Sequence, residues 1–139
     1  MINVASTAGS LKKVSSTVRD RFLTSKTEDD VTSIMRDFQS AVEAGKEKEE
    51  GFLSAAYATS KAGLIGGTRA LANQVKESGS EVLVNSCCPG YVNTDMTKGN
   101  GTKTLDEGAQ TPVLLALQDI GKKTGTFWRD EREIKWEDL

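Results

Sequence analysis

Histidine is absent from the 139 residues. Without imidazole there is no Ser-His-Asp triad, no histidine general base and no HExxH-type zinc site, so acid-base chemistry must fall to other side chains. Cysteine is scarce, and the only two, Cys87 and Cys88, are adjacent. Neighbouring thiols cannot staple a loop, and two of them cannot complete a four-ligand metal centre, so no metal is expected. They suit a reducing compartment, and the expected location is cytoplasmic. No basic or histidine residue adjoins them to lower their pKa, so they are expected to be unreactive. A basic surplus is missing too: 18 Lys and Arg stand against 20 Asp and Glu, for a net charge of −2. Nothing is left over to neutralise a phosphate backbone, and a nucleic-acid partner is not expected. No apolar run approaches the roughly 18 residues of a membrane span, and no signal-like segment opens the chain, so no membrane partner is expected either.

What is present fits one globular domain. Apolar residues make up 37% of the chain, charged residues 27%, and there are 13 glycines; that balance is of the folded, soluble kind. Met1–Ser6 reads as a strand that starts abruptly, as though cut from a longer chain, and Thr7–Ser10 as a turn of small residues. Thr27-Glu28-Asp29-Asp30 offers a cap and an acidic first turn. Val31, Ile34, Met35, Phe38 and Val42 then repeat at helical spacing until Gly45. Residues 46–50 are a solvated charged linker.

The longest helix is expected over Ser54–Ser78, with Leu64, Leu71 and Val75 on related faces and Gly79 as its stop. Glu81–Cys87 reads as a strand ended by Pro89-Gly90. Thr104-Leu105-Asp106-Glu107 is a capping-box pattern opening a helix with Val113, Leu114, Ala116 and Leu117; Pro112 should either bend this helix or sit near its first turn. Gly125–Trp128 is a last short strand. Strands alternating with helices give an α/β fold with a parallel sheet of about three strands. Parallel sheets need both faces covered and several neighbours, so the pattern reads as part of a larger sheet.

Tyr57-Ala58-Thr59-Ser60-Lys61 carries the chemistry. Four residues apart on a helix, the Lys61 ammonium can lie beside the Tyr57 phenol, favour its phenolate and bring proton donation into the neutral range. Alone, such a pair is more often an ordinary surface contact. Here it stands between Asn3-Val4-Ala5-Ser6-Thr7-Ala8-Gly9 at a strand end and Cys88-Pro89-Gly90-Tyr91-Val92-Asn93-Thr94 after the next strand.

In that order, the three motifs resemble the C-terminal half of the short-chain dehydrogenase/reductase family. The NADPH-dependent carbonyl reductase branch is most similar, because it too has a helical insertion between the catalytic serine strand and the tyrosine helix; here the insertion covers about 11–53. Asn85–Met96 and Glu107–Val113 are similar to that branch as well. The resemblance implies the C-terminal part of a Rossmann-type doubly wound parallel sheet, starting at the fifth of about seven strands. It also implies NADPH as cofactor and a small-molecule carbonyl substrate, a ketone, aldehyde or quinone.

Carried over residue by residue, Tyr57 is the general acid, Ser6 binds the substrate oxygen, and Lys61 tunes Tyr57 while holding the nicotinamide ribose. Tyr57, Lys61, Pro89, Gly90, Val92 and Thr94 are the implied cofactor contacts. Ser6, Tyr91 and Met96 are the implied substrate contacts.

Some family features are missing from this sequence. There is no Gly-rich turn after a strand to seat a pyrophosphate, no basic residue to select the NADP phosphate, no Asn-Ala-Gly-type strand, and no helix bearing the family's relay asparagine. Ala5 stands where a serine is frequent. Gly63-Leu64-Ile65-Gly66-Gly67 lies inside the long helix and is expected to allow close packing on the sheet. The expected function is therefore carbonyl reduction requiring an N-terminal half. A complete enzyme is expected to be a monomer, since the insertion in that branch covers the family's dimer surface. The alternative is a non-catalytic module that pairs with another chain, or with itself, through the exposed edge of the first strand.

Overall fold

Four short strands form one sheet in the computed structural model, which describes residues 1–139. In chain order they are β1 (Ile2–Val4), β2 (Asn85–Cys88), β3 (Phe127–Arg129) and β4 (Arg132–Ile134). They lie side by side in that order, with β1–β2 and β2–β3 parallel and β3–β4 antiparallel. The helices are α1 (Ser16–Thr24), α2 (Glu28–Glu43), α3 (Ala56–Glu77) and α4 (Leu105–Leu117). This is the expected α/β fold, part of a Rossmann-type sheet, with one strand more than the sequence suggested. No helix is long and apolar enough to cross a membrane.

The extra strand comes from the hairpin at Asp130-Glu131, whose φ values are 49° and 60°. Two consecutive left-handed residues are what a tight hairpin needs; Asp suits the first position, but Gly usually supplies the second, where Glu131 stands. Tertiary contacts hold the turn instead: Lys103 Nζ lies 2.5 Å from Asp130, and the Glu131 amide donates to Thr111 Oγ1 at 3.1 Å.

β2 is buried along its whole length and begins at Asn85, not Glu81. Its ladder starts only where β1 offers a partner, at Ile2 opposite Asn85. Val82, one of the apolar residues that suggested an earlier start, is 55% exposed. Asn85 is buried without orphaned groups, since its amide donates to Lys123 O and accepts from the Thr126 amide and hydroxyl.

α1 was not foreseen. Only Val18 and Phe22 are buried in its nine residues, too short an apolar pattern to stand out, although Ser15 caps it through the Val18 amide. α2 starts at the foreseen cap, Thr27, which forms a reciprocal box with Asp30. Its buried face is Val31, Ile34, Phe38 and Ala41, whereas Val42 is exposed and Met35 half-buried.

α3 buries a stripe of small residues, among them Ala62, Gly63, Gly66, Ala70 and Ala72, along with Ile65. Leu64, Leu71 and Val75 flank that stripe half-buried. The glycines admit neighbouring helices more than the sheet. A Cβ on Gly63 would lie 2.6 Å from Met35 Sδ of α2, and one on Gly66 would lie 3.3 Å from both Phe22 of α1 and Trp136. On α4 the Thr104–Glu107 box forms as read, but Pro112 lies mid-helix. Gly108, Thr111 and Leu115 face inward, leaving Val113 and Leu117 exposed.

Helices cover both faces of the sheet. On one side Ala5, Cys88 and Phe127 join Leu11, Phe22, Ile34, Phe38, Ile65 and Trp136 in the main core, where Phe22–Trp136 and Phe38–Phe52 meet edge to face. On the other, Cys87 and Trp128 pack on Leu115 of α4. The buried Trp136 indole donates to Gly9 O at 2.8 Å, tying the end of the chain to the turn after β1.

Candidate active site

Ser6 lies just past β1 and caps the 3-10 turn Thr7–Gly9, its hydroxyl accepting from the Ala8 amide at 3.1 Å. That turn rests on the backbone of α3. A Cβ on Gly9 would fall 2.7 Å from the Lys61 carbonyl carbon, so only glycine permits the contact. The approach sets Ser6 next to the first turns of α3, where Tyr57 and Lys61 lie one turn apart.

Tyr57 is 58% exposed. Lys61 is half-buried, with its ammonium 5.7 Å from the Tyr57 ring centroid and donating to Val4 O at 3.2 Å. The ammonium therefore bridges the end of β1 and the phenol. At this distance it interacts favourably with the ring.

Pro89 and Gly90 follow β2. Gly90 is left-handed, with φ 88°, and a Cβ on it would sit 2.9 Å from the Lys103 side chain. Its amide reaches Cys88 Sγ at 3.4 Å. The loop beyond is closed on itself: Tyr91 O accepts from the amides of Thr102 and Lys103, and Val92 bridges to Lys103. The Thr97 hydroxyl donates to Val92 O at 2.8 Å and accepts from the Thr94 amide at 3.0 Å. Val92 fills the space left by Gly108 on α4.

These segments enclose a cleft of about 1010 Å³. Ser6, Tyr57, Lys61, Pro89, Gly90, Tyr91, Val92, Thr94 and Met96 all line it, so every site residue named from the sequence faces one space. Tyr91 and Met96 are its exposed wall, at 52% and 87% exposure.

Sequence reading missed Thr97, Lys98, Asn100 and Arg129, which also line the cleft. The Thr94/Thr97 spacing was a legible capping signal. Arg129 had none, since it arrives only through the β2–β3 register that pairs it with Cys88. Lys103 and Arg129 both contact Asp130, whose carboxyl is held below its ordinary value chiefly by the hydrogen bond from Lys103. Both cysteines are free and buried. Burial, and then the neighbouring Cys88, push the Cys87 thiol up to about 11, which leaves it protonated and a poor nucleophile at neutral pH.

The sequence model of the short chain dehydrogenase family matches residues 40–104. Carbonyl reductase [NADPH] 3 of Rattus norvegicus is 36% identical over 98% of this chain and 52% of its own length. Carbonyl reductase [NADPH] 1 of Homo sapiens is 34% identical over the same shares. Among solved structures, salutaridine reductase from Papaver somniferum superposes with a TM-score of 0.79 at 36% identity, covering 91% of this chain and 44% of that one. The chain thus spans about half the length of the curated relatives it matches.

Proposed function

The chain belongs to the short-chain dehydrogenase/reductase family, and from that premise we propose that it carries the Ser-Tyr-Lys centre of an NADPH-dependent carbonyl reductase. The observation behind this reading is the convergence of Ser6, from the turn after β1, and of Tyr57 and Lys61, from α3, on a single cleft.

The residues fit the nicotinamide end of the cofactor. Gly90 lines the cleft without a side chain, Tyr57 Oη makes no hydrogen bond within the chain, and Lys61 has donors left beyond its bond to Val4. Pro89, Gly90, Val92 and Thr94 would hold that end. No Gly-rich turn after a strand is available within these residues for the pyrophosphate. When bound, NADPH supplies the hydride.

The Ser6 oxygen is fixed by the Ala8 amide through a lone pair, which leaves its proton free to point at a substrate carbonyl oxygen. Tyr57 donates its proton to the same oxygen as charge builds there. Lys61 stabilises the phenolate left on Tyr57. Tyr91 and Met96 shape the substrate wall. On this reading residues 1–139 are one part of a single Rossmann-type domain, and residues 11–53, with α1 and α2, are the insertion.

The test is NADPH titration of the chain, alone and mixed with the N-terminal half of a carbonyl reductase relative, followed by nicotinamide fluorescence and by carbonyl-dependent NADPH oxidation. Reduction is expected in the mixture. Tyr57→Phe should lower turnover by about 10²-fold or more with NADPH affinity unchanged, since only the phenolic proton is removed. Turnover retained by that variant overturns the role of Tyr57. The open edge of β1 supports a second reading, a non-catalytic module that pairs through that edge; a defined oligomer without NADPH binding would favour it.

A further inference from the structure

We propose that Lys98 and Arg129 make the cleft select carbonyl compounds that carry an anionic group, such as oxo acids with an apolar body. This rests on reading the cleft as a carbonyl-reducing site.

The charged side chains that line it are Lys61, Lys98 and Arg129, without a single Asp or Glu. The molecule's four ion pairs include neither Lys61 nor Lys98. Arg129 does meet an acid, with Nε 3.1 Å from Asp130, but that carboxylate also holds Lys103 at 2.5 Å. One negative charge therefore answers two positive ones, and the group keeps a net positive charge.

The bonding capacity of Arg129 is also largely unused. Its Nε is buried against the Asp130 carboxylate, and the two terminal nitrogens of the guanidinium make no hydrogen bond within the chain. A planar guanidinium with free donors matches a carboxylate in a paired, two-bond geometry. Its pairing opposite Cys88 at the end of β2 brings Arg129 to the lining of the cleft. Lys98 sits on the covering loop in a left-handed turn, φ 52°, a conformation that Gly or Asn would adopt with less strain. Lys61 is already engaged with Val4 and Tyr57. Val4, Ala5, Tyr91, Val92 and Met96 make the remaining wall largely apolar, which suits an aryl or alkyl body joined to the anion.

Calorimetric titration of the full chain at low salt with phenylglyoxylate and with its methyl ester provides the test. Saturable binding of the acid, at least about tenfold tighter than the ester, is expected, because a charge-assisted hydrogen bond contributes about that factor or more. Arg129→Gln should reduce affinity for the acid about tenfold and leave that for the ester unchanged. Lys98→Gln, at an exposed loop position, repeats the test where folding is not at risk. Equal affinities for acid and ester, or variants that bind the acid normally, overturn the assignment. A loss of NADPH affinity in the variants that matches the loss of acid affinity also overturns it, since the cations would then serve the cofactor's phosphates. Saturable NADPH binding with no preference for the acid removes this assignment alone. Preference for the acid with no NADPH binding supports the anion site and removes the reductase reading.

Discussion

A methyl group at position 9 would sit 2.7 Å from the Lys61 carbonyl carbon and 2.8 Å from the Ala62 nitrogen, backbone atoms that cannot swing aside. Gly9→Ala must therefore push the Thr7–Gly9 turn away from α3, carrying Ser6 from Tyr57 and straining the Trp136 bond to Gly9 O. A loss of about 1–3 kcal/mol is expected, the usual cost of overpacking a close contact. Gly67 is the control: a Cβ there meets nothing within 4 Å, so Gly67→Ala should stabilise α3 by up to about 1 kcal/mol. Urea unfolding of the two variants should shift in opposite directions; a shift of Gly9→Ala toward greater stability would show that the turn does not rest on α3. The Ser6, Tyr57 and Lys61 candidates could be read from local motifs. The reason for Gly9 could not, because its partner lies in a helix about 50 residues further on and no local pattern records that approach.

Helix ends were the most legible elements, since a cap is a local bond between residues three apart. Thr27/Asp30 and Thr104/Glu107 form as their spacing suggests. α1 and the β3–β4 hairpin were not legible. α1 has two buried side chains, and Glu131 is held left-handed by contacts at Thr111 and Lys103 rather than by its own propensity. The caps also set an acid response. Backbone amides hold both box carboxylates below their ordinary values, Lys26 and then Thr27 acting on Asp30, and Thr104 acting on Glu107. A carboxylate whose folded pKa is depressed adds stability above its unfolded value and loses it as pH falls through the folded one. Stability should therefore decline on acidification through the carboxylate range. Glu107→Gln should flatten its part of that decline while lowering stability at neutral pH, as chemical unfolding at a series of pH values would show. An unchanged acid slope in that variant would remove Glu107 as a contributor.

Across the whole molecule the parallel pairing of the first three strands followed from alternation of strand and helix, and the number of strands did not, because β4 depends on contacts remote in sequence. Which main-chain groups the β1 edge of the sheet presents follows from register. Met1 O accepts from the Asn85 amide and the Ala5 amide donates to Cys87 O, so odd-numbered residues of this segment bond to β2 and the main-chain groups of Ile2 and Val4 point the other way. Of these, Val4 O is covered by Lys61, and the Val4 side chain is 50% exposed. An unpaired strand edge is a template for another chain, and a cation beside it is a common way to blunt it. Lys61 thus stands between the open edge and Tyr57, so a change there should alter association as well as chemistry. Lys61→Met is expected to increase self-association with rising concentration, Val4→Lys to suppress it, and Tyr57→Phe to leave it as in the wild type. Sedimentation velocity over a concentration series separates the three. Association that is indifferent to Val4→Lys would locate the contact away from β1, whereas suppression by Val4→Lys together with promotion by Lys61→Met would show that the ammonium facing the phenol also guards the edge of the sheet.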